Sequence, residues 1–271
     1  IGEFGGFSYE IGRQRFYPIM VAEKQICHLR ATLRGPSGHG SMPHRDGAVG
    51  RMASFLRRLE QRRLPVHVTP VTRSMVETIS SKLAWPQGMV FRQLLKPQMT
   101  NTVLGLMGDK GASFEPLLRN TANPTVIQAG EQINVAPSKV EVDLDGRLLP
   151  GYSPEDLISE LVAISGGELE LEVIRHDPGP SEPDMALFET LKDILRSVDS
   201  DGEPVPILLP GATDARFFSR LGIQTYGYLP MRLPPDLEFS RLIHGPDERI
   251  PVDAITFGTE AIFQLMHRFG Q

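Results

Sequence analysis

Lys139-Val140-Glu141-Val142-Asp143-Leu144-Asp145 is the clearest strand signal in this chain. Its apolar residues alternate with charged ones, which is the period of a strand with one buried face. A helix start follows at Ser153-Pro154-Glu155-Asp156, where a capping hydroxyl precedes a proline at the first helical position and two acids face the positive end of the helix dipole. The stretch therefore predicts a half-buried strand followed by a helix.

The same kind of pattern continues on both sides. Gly166-Gly167 stops the helix, and the alternation over 169–173 predicts another strand. Upstream, the sequence predicts a strand over 29–33, a helix from about Asp46 and a strand over 124–129. The order is β-α-β-β-α-β with an insertion after the first helix, which is the ferredoxin-like pattern.

The flanking segments differ from this middle part. Residues 176–183 form a rigid polar linker, and an α/β rhythm follows it. Its elements are a helix from about Met185, a strand over 207–209, a helix after Thr213, a strand over 224–229 and a helix that starts at Pro251. The last helix has Ile255, Ile262, Leu265 and Phe269 aligned on one face. The fold class predicted is an α/β catalytic domain with an inserted ferredoxin-like α+β domain. The expected boundaries are 1–25 and 179–271 for the former and 26–178 for the latter, with an insertion at about 65–123.

Composition limits the classes of function. Of the 271 residues, 40% are hydrophobic and 23% charged, and the net charge is -5. No polybasic run occurs, so neither a nucleic acid nor an anionic membrane is the expected partner. No apolar run reaches the length of a membrane span. Cys27 is the only cysteine, so any metal must be held mainly by His, Asp and Glu.

Two downstream motifs are typical of a metal-dependent hydrolase. Residues 210–216 read Pro-Gly-Ala-Thr-Asp-Ala-Arg between a strand and a helix, where Gly211 and Thr213 can hold an anion with backbone N–H groups. The alternative is a tight turn with no ligand. His244 follows in a loop beside Asp247 and Glu248, where its neutral nitrogen can bind a metal. The alternative is an ordinary surface histidine.

Three further residues are candidates in the middle part. His39 lies in the small-residue loop Gly38–Pro43 and can reach a ligand, although a flexible turn explains the loop equally well. Asn134 can orient a substrate through its amide, or belong to an ordinary strand-connecting turn. Arg147 can clamp a carboxylate bidentately or pair with Asp143 or Asp145. A serine-hydrolase site is excluded around Ser41, because the glycines of a nucleophile elbow are missing.

The ordered set of motifs resembles a family of zinc-dependent exopeptidases and deacylases. That family includes acetylornithine deacetylase, succinyl-diaminopimelate desuccinylase, aminoacylase and carboxypeptidase S, and the carboxypeptidase S branch is the most similar. The resemblance covers Glu3 to Glu248. Its motifs are Gly2-Glu3, the lid loop from Gly35 to Pro43, Asn134-Val135-Ala136-Pro137, Asp145-Gly146-Arg147, Gly211-Ala212-Thr213-Asp214 and His244.

The resemblance implies a site and a reaction. Two Zn²⁺ ions, replaceable by Co²⁺ or Mn²⁺, would activate a water that cleaves the amide bond of a small peptide or N-acyl amino acid. Glu3 would bind one metal and His244 the other. His39, acting from the second subunit of a homodimer formed through the lid domain, would stabilise the oxyanion. Asn134, Arg147, Gly211 and Thr213 would hold the substrate.

The resemblance also implies that part of the catalytic machinery is missing from this chain. The family's His-x-Asp motif, bridging Asp and catalytic Glu pair all precede the position of Glu3, so we expect the chain alone to be inactive. A non-catalytic dimerisation or peptide-binding module on the same fold is the alternative. A sugar- or nucleotide-binding protein is less favoured because no phosphate-loop fingerprint occurs. The expected compartment is the cytoplasm.

Overall fold

The computed structural model describes residues 1–167, 169–237 and 239–269. The strands are β1 (Tyr9–Ile11), β2 (Gln14–Glu23), β3 (Gln25–Arg34), β4 (Gly38–His39), β5 (Thr121–Ala129), β6 (Val135–Ala136), β7 (Lys139–Leu148), β8 (Glu170–Asp177) and β9 (Gly202–Leu209). The α-helices are α1 (Ala48–Gln61), α2 (Pro70–Lys82), α3 (Gln87–Arg92), α4 (Pro97–Leu106), α5 (Asp109–Phe114), α6 (Pro154–Ser165), α7 (Phe188–Val198), α8 (Ala215–Ser219), α9 (Phe239–Leu242) and α10 (Val252–Arg268).

The chain divides into two compact units. The flanking unit comprises Ile1–Glu23, Val68–Phe114 and Glu182–Gln271, and the central unit comprises Lys24–His67 and Glu115–Ser181. The outer boundaries lie within a few residues of those expected from sequence. The insertion differs: residues 65–123 were expected in the lid domain, but helices α2 to α5 group with the flanking unit.

The central unit has the ferredoxin-like topology that the sequence predicts. Its sheet has the order β5-β7-β3-β8, with each neighbouring pair antiparallel. Every second residue of β7 is buried, as its alternation requires. Helices α1 and α6 supply Met52, Phe55, Leu157 and Leu161 to the core, together with Leu29 and Val142 of the sheet.

Local chemistry fixes two features of the central unit. The Ser153 hydroxyl accepts from the Asp156 N–H while the Asp156 carboxylate accepts from the Ser153 N–H, so α6 begins with the predicted capping residue in a capping box. At Gly146, a Cβ would lie 2.1 Å from the Cys27 carbonyl oxygen. A side chain at this position would therefore push β7 away from β3.

The flanking unit is built on a three-stranded sheet with the order β1-β2-β9. Strand β2 pairs antiparallel with β1 and parallel with β9. Glu23, the last residue of β2, is therefore paired with Leu209, the last residue of β9. Helices α2 and α7 pack on β2 and β9, and α10 packs on α7. Near the start of β2, Asp199 accepts hydrogen bonds from the Tyr17 hydroxyl at 2.7 Å and the Arg15 guanidinium at 2.8 Å.

Two expectations for the flanking unit are wrong in detail. Residues 224–229 do not form a named strand; Gly227 makes only isolated bridges to Gly2 and Met20. Helix α10 turns Ala254, Ala261 and Leu265 inward, whereas Ile255 and Phe269 are 57% and 70% exposed. The predicted face is therefore buried at Leu265 but exposed at Ile255 and Phe269, because the apolar positions of this helix cover more than one face.

Candidate functional site

Glu3 lies in a tightly packed bend at the start of the chain. Phe4, Gly5 and Gly6 have φ angles of 66°, 104° and 80°. A Cβ on Gly5 would lie 2.5 Å from the Gly227 carbonyl oxygen, so glycine is required both by the positive φ and by the close approach. Backbone hydrogen bonds tie this bend to β2 and to residues 226–231. The Glu3 side chain is exposed at this bend.

His244 follows the short helix α9 and is also exposed, with a φ of 60°. Aromatic contacts link its segment with that of Glu3. The Phe4 and Phe7 ring centroids are 5.5 Å apart, and those of Phe7 and Phe239 are 5.2 Å apart. The bend that carries Glu3 and the helix that precedes His244 therefore pack against one another within the flanking unit.

The donors in the described part of the chain do not fit a complete zinc site. Among residues 1–167, 169–237 and 239–269, no three His, Cys, Asp or Glu side chains gather to hold one metal ion. A catalytic zinc normally takes three protein ligands. Glu3 and His244 are one carboxylate and one imidazole, so these two residues cannot hold catalytic zinc by themselves.

His39 and Asn134 are brought together in the central unit. Strands β4 and β6 form a two-stranded antiparallel ladder in which His39 pairs with Val135. The Gly40 N–H donates to the Asn134 carbonyl oxygen at 2.7 Å. His39 thus lies on an exposed two-stranded ladder, and Asn134, which is far from it in sequence, lies beside the ladder.

The tautomer of His39 follows from its local hydrogen bonds. The Ser41 backbone N–H donates to His39 Nδ1 at 3.2 Å, and the Ser41 hydroxyl lies 2.8 Å from the same nitrogen. A nitrogen that accepts from a backbone N–H carries no proton, so in the neutral ring the proton is on Nε2. His39 therefore presents an N–H donor away from its own loop.

Arg147 adopts the alternative that the sequence left open. Its Nε and Nη2 atoms donate to the two carboxylate oxygens of Asp145 at 2.7 and 3.1 Å. Asp143 is held separately by a bidentate contact with Arg30. The Arg147 fork is therefore occupied by a neighbour on its own strand.

The turn at 210–214 already holds an anion from this chain. One carboxylate oxygen of Glu23 accepts from the Thr213 N–H at 2.7 Å and from the Thr213 hydroxyl at 2.9 Å. Burial raises the pKa of Glu23, while the Thr213 hydrogen bonds and the Arg216 charge oppose the rise. Glu23 is not among the residues that the sequence predicts for the site. The only available signal was an acid at the end of an extended segment, because the parallel partner β9 is remote in sequence.

A buried lysine was also missed. Lys24 is 1% exposed, and its ammonium donates to the Arg119 carbonyl oxygen at 2.6 Å and the Thr121 hydroxyl at 3.3 Å. Burial, reinforced by the charge of Arg147 and opposed by Glu160, lowers its pKa from 10.5 to about 7. Lys24 is thus a buried amine held by neutral oxygens, and it starts the central unit.

An open groove of about 490 Å³ lies along α2. Its lining residues are Val68, Pro70, Arg73, Ser74, Glu77 and Thr78. None of the residues predicted for the site lines it, so it contributes nothing to the candidate chemistry. No helix within the described ranges combines the length and the apolar character that a bilayer crossing needs.

The two-unit organisation and the ferredoxin-like sheet define a class of protein, the peptidases with an inserted dimerisation domain. A family model described as a peptidase dimerisation domain matches residues 21–171. This is more than half of the chain, and the chain belongs to that family, the M20 peptidases.

Individual relatives agree with this assignment. The chain is 27% identical over 258 residues to the human N-fatty-acyl-amino acid synthase/hydrolase PM20D1, covering 92% of this chain and 50% of the relative. It is 24% identical over 236 residues to a carboxypeptidase S-like protein of Dictyostelium discoideum, covering 86% and 44%. The chain thus spans about half the length of the curated relatives it matches.

A solved structure gives the same fold. The crystal structure of a tripeptidase from Staphylococcus aureus superposes with a TM-score of 0.50 at 12% identity, over 92% of this chain and 52% of that chain. At this level of identity the similarity concerns the fold alone. The resemblance drawn from the sequence motifs is confirmed at the level of the family.

Proposed function

We propose that this chain supplies the lid and part of the active site of a hydrolase that cleaves the amide bond of N-acyl amino acids or small peptides. The observation that carries the proposal is the geometry of His39, whose Nδ1 accepts from the Ser41 N–H so that Nε2 carries the ring proton, on a ladder that lies beside Asn134. Membership of the M20 family and the hydrolase activity for which the human relative is named support amide hydrolysis as the reaction class.

The role that we assign to His39 is that of a hydrogen-bond donor. Its neutral ring can donate from Nε2 to the carbonyl oxygen of the scissile amide as negative charge develops there. Ser41 keeps the ring in the required tautomer. We further propose, from the family resemblance, that this donor acts on the active site of the partner in a homodimer.

We propose Glu3 and His244 as ligands to different ions of a dinuclear zinc centre, in which Co²⁺ or Mn²⁺ can take the place of zinc. When bound, the metals would lower the pKa of a water molecule and polarise the amide. The described residues hold no group of three donors, and we propose, from the family resemblance, that the remaining ligands come from sequence outside this chain. We therefore expect the chain alone to have no hydrolase activity.

For substrate positioning we propose Asn134, Arg147 and the loop that contains Gly211 and Thr213. Asp145 takes Nε and Nη2 of Arg147, so a substrate carboxylate would approach from the Nη1 side. The amide of Asn134 can both donate and accept, which suits a peptide or acyl-amide group. The substrate class proposed is a small molecule with one amide and one carboxylate.

For the homodimer we propose β5 as the contact edge of the central sheet. The sheet has β5 and β8 at its two edges. Strand β8 carries charged residues at four of its eight positions, with Glu170, Glu172 and Arg175 exposed, and such charges discourage edge pairing. Strand β5 carries no charged residue, and its Val126 and Ile127 are 45% and 60% exposed.

The test uses the full-length protein that contains this chain, loaded with zinc and assayed on N-acyl glycines and dipeptides. We expect turnover, and we expect His39→Ala to lower kcat with little change in KM. His44→Ala serves as a matched control, since His44 is an exposed histidine of the same loop. Wild-type protein without amidase activity on any of these substrates would refute the proposed function.

A non-catalytic dimerisation or peptide-binding module is the second candidate. The observation that favours it is the absence of a three-donor cluster within the described residues. The two candidates differ in the full-length protein: a module would bind peptide without zinc-dependent turnover, whereas an enzyme would lose turnover on chelation and regain it with zinc.

A further inference from the structure

Glu23 makes an unusual contact for a residue at the end of a strand. It is the last residue of β2 and pairs with Leu209, the last residue of the parallel strand β9. The loop after β9 turns back so that Thr213 lies against the Glu23 carboxylate. A single oxygen of Glu23 accepts both the N–H and the hydroxyl of Thr213, at 2.7 and 2.9 Å.

These contacts use every donor of Thr213. Its hydroxyl oxygen also accepts from the Ala215 N–H at 3.1 Å, and its carbonyl oxygen accepts from the N–H and the guanidinium of Arg216 at 3.4 Å. The residue is 8% exposed. Since N–H and O–H both donate to Glu23, Thr213 has no hydrogen left to offer a ligand.

Gly211, in contrast to the closely contacted Thr213, has open space beside it. A Cβ built on it would meet nothing nearer than the Leu209 Cγ atom at 3.9 Å, and its φ is not positive. Neither the backbone conformation nor crowding within the described chain therefore requires glycine at this position. The open space beside Gly211 is where an external group can approach the loop backbone.

We propose that Glu23 is a positioning residue that serves as the built-in anion of the 210–214 loop, so that Gly211, and not Thr213, faces the substrate. The claim that Gly211 faces the substrate rests on the proposed function, whereas the positioning role of Glu23 does not. Arg216 supports the arrangement by placing a positive charge near the Glu23 carboxylate. The anion that the loop sequence was expected to bind is thus supplied internally.

The first experiment measures amide hydrogen exchange in peptides spanning Thr213, using this chain as wild type, Glu23→Ala and the control Glu10→Ala. Because charge-assisted hydrogen bonds are among the stronger ones, we expect Glu23→Ala to raise exchange there by about tenfold or more. Sodium acetate should restore protection in Glu23→Ala, because acetate can accept the Thr213 hydrogen bonds in place of the Glu23 carboxylate. Sodium chloride of equal ionic strength should not.

Unchanged exchange in Glu23→Ala would overturn the proposal, as would equal rescue by chloride and acetate. If Glu23→Ala does not fold, Glu23→Gln replaces it. The Gln side chain keeps one acceptor oxygen but carries no charge. Amide exchange at Thr213 should therefore be faster than in wild type and should respond to neither salt. Exchange at the wild-type rate in Glu23→Gln would overturn the role of the charge.

A separate measurement distinguishes this inference from the proposed function. N-acetylglycine is titrated into the zinc-loaded full-length protein, as wild type and as Gly211→Val. If Gly211→Val weakens the binding of N-acetylglycine, Gly211 is supported as the substrate-facing position. Equal binding by both proteins overturns the claim that Gly211 faces the substrate. If wild type binds no N-acetylglycine but acetate still restores exchange in Glu23→Ala, the proposed function fails while the positioning role of Glu23 stands.

Discussion

Replacing Lys24 by methionine should remove a pH dependence of folding that one buried ammonium group creates. Lys24 is 1% exposed, and its pKa is lowered from 10.5 to about 7, chiefly by burial. The folded state therefore releases this proton at a much lower pH than the unfolded chain. Methionine has a similar length and no titratable group, so it isolates the effect.

The sign and size follow from proton linkage. Between pH 7 and pH 10 the unfolded chain holds the Lys24 proton and the folded chain does not, so the free energy of unfolding rises with pH. The slope is about 1.4 kcal/mol per pH unit, or about 4 kcal/mol over this range. This stability is fully present above pH 10.5 and is lost as the pH falls toward 7. The methionine variant also leaves the Arg119 carbonyl oxygen without its donor, at a pH-independent cost of about 1–3 kcal/mol.

Urea unfolding followed by circular dichroism at a series of pH values measures both quantities. The difference in unfolding free energy between wild type and Lys24→Met should change by several kcal/mol in favour of wild type from pH 7 to pH 10. Lys96→Met, at an exposed lysine, provides the control and should show no such trend. A difference that stays constant over the range would refute the argument that Lys24 is neutral in the folded protein above pH 7.

Four further outcomes are expected. Asp199→Ala should lower the unfolding free energy by about 3 kcal/mol, measured by urea titration, because it leaves the buried Tyr17 hydroxyl and a guanidinium without their acceptor; a loss below experimental error would contradict the role of this cluster. Ile127→Lys on β5 should convert a dimer into monomers in light scattering, whereas Val173→Lys on β8 should not, and the reverse result would assign the interface to the other edge. Under the proposed function, His39→Ala in the full-length protein should lower kcat by about a hundredfold, as the loss of an oxyanion donor does elsewhere; an unchanged kcat would contradict the role proposed for His39. The chain alone, supplied with zinc and N-acyl amino acids, should give no turnover above the metal-only blank.

The central unit was predictable because its signals are local. The alternation of β7 and the capping hydroxyl of Ser153 are set by residues close in sequence, and both are found as predicted. The family resemblance was predictable for a related reason, since short motifs in a fixed order carry it. The pairing of His39 with Val135 could not be derived in this way, because no local pattern encodes the register of a two-residue strand.

Contacts between distant segments escaped the sequence analysis. The assignment of residues 68–114 to the flanking unit depends on where α2 to α5 pack, not on their own periodicity. The role of Glu23 required knowledge that β2 and β9 run parallel and end together. For Lys24, sequence gives no sign of burial, because lysine is almost always exposed.

The chain passes from the flanking unit to the central unit at the Glu23–Lys24 peptide bond. Glu23 accepts from Thr213 within the flanking unit, and Lys24 donates to the Arg119 carbonyl oxygen within the central unit. A version of the four-stranded unit that begins at Gln25 would leave that carbonyl oxygen without its donor. Anyone who transplants the unit into another host should therefore begin it at Lys24.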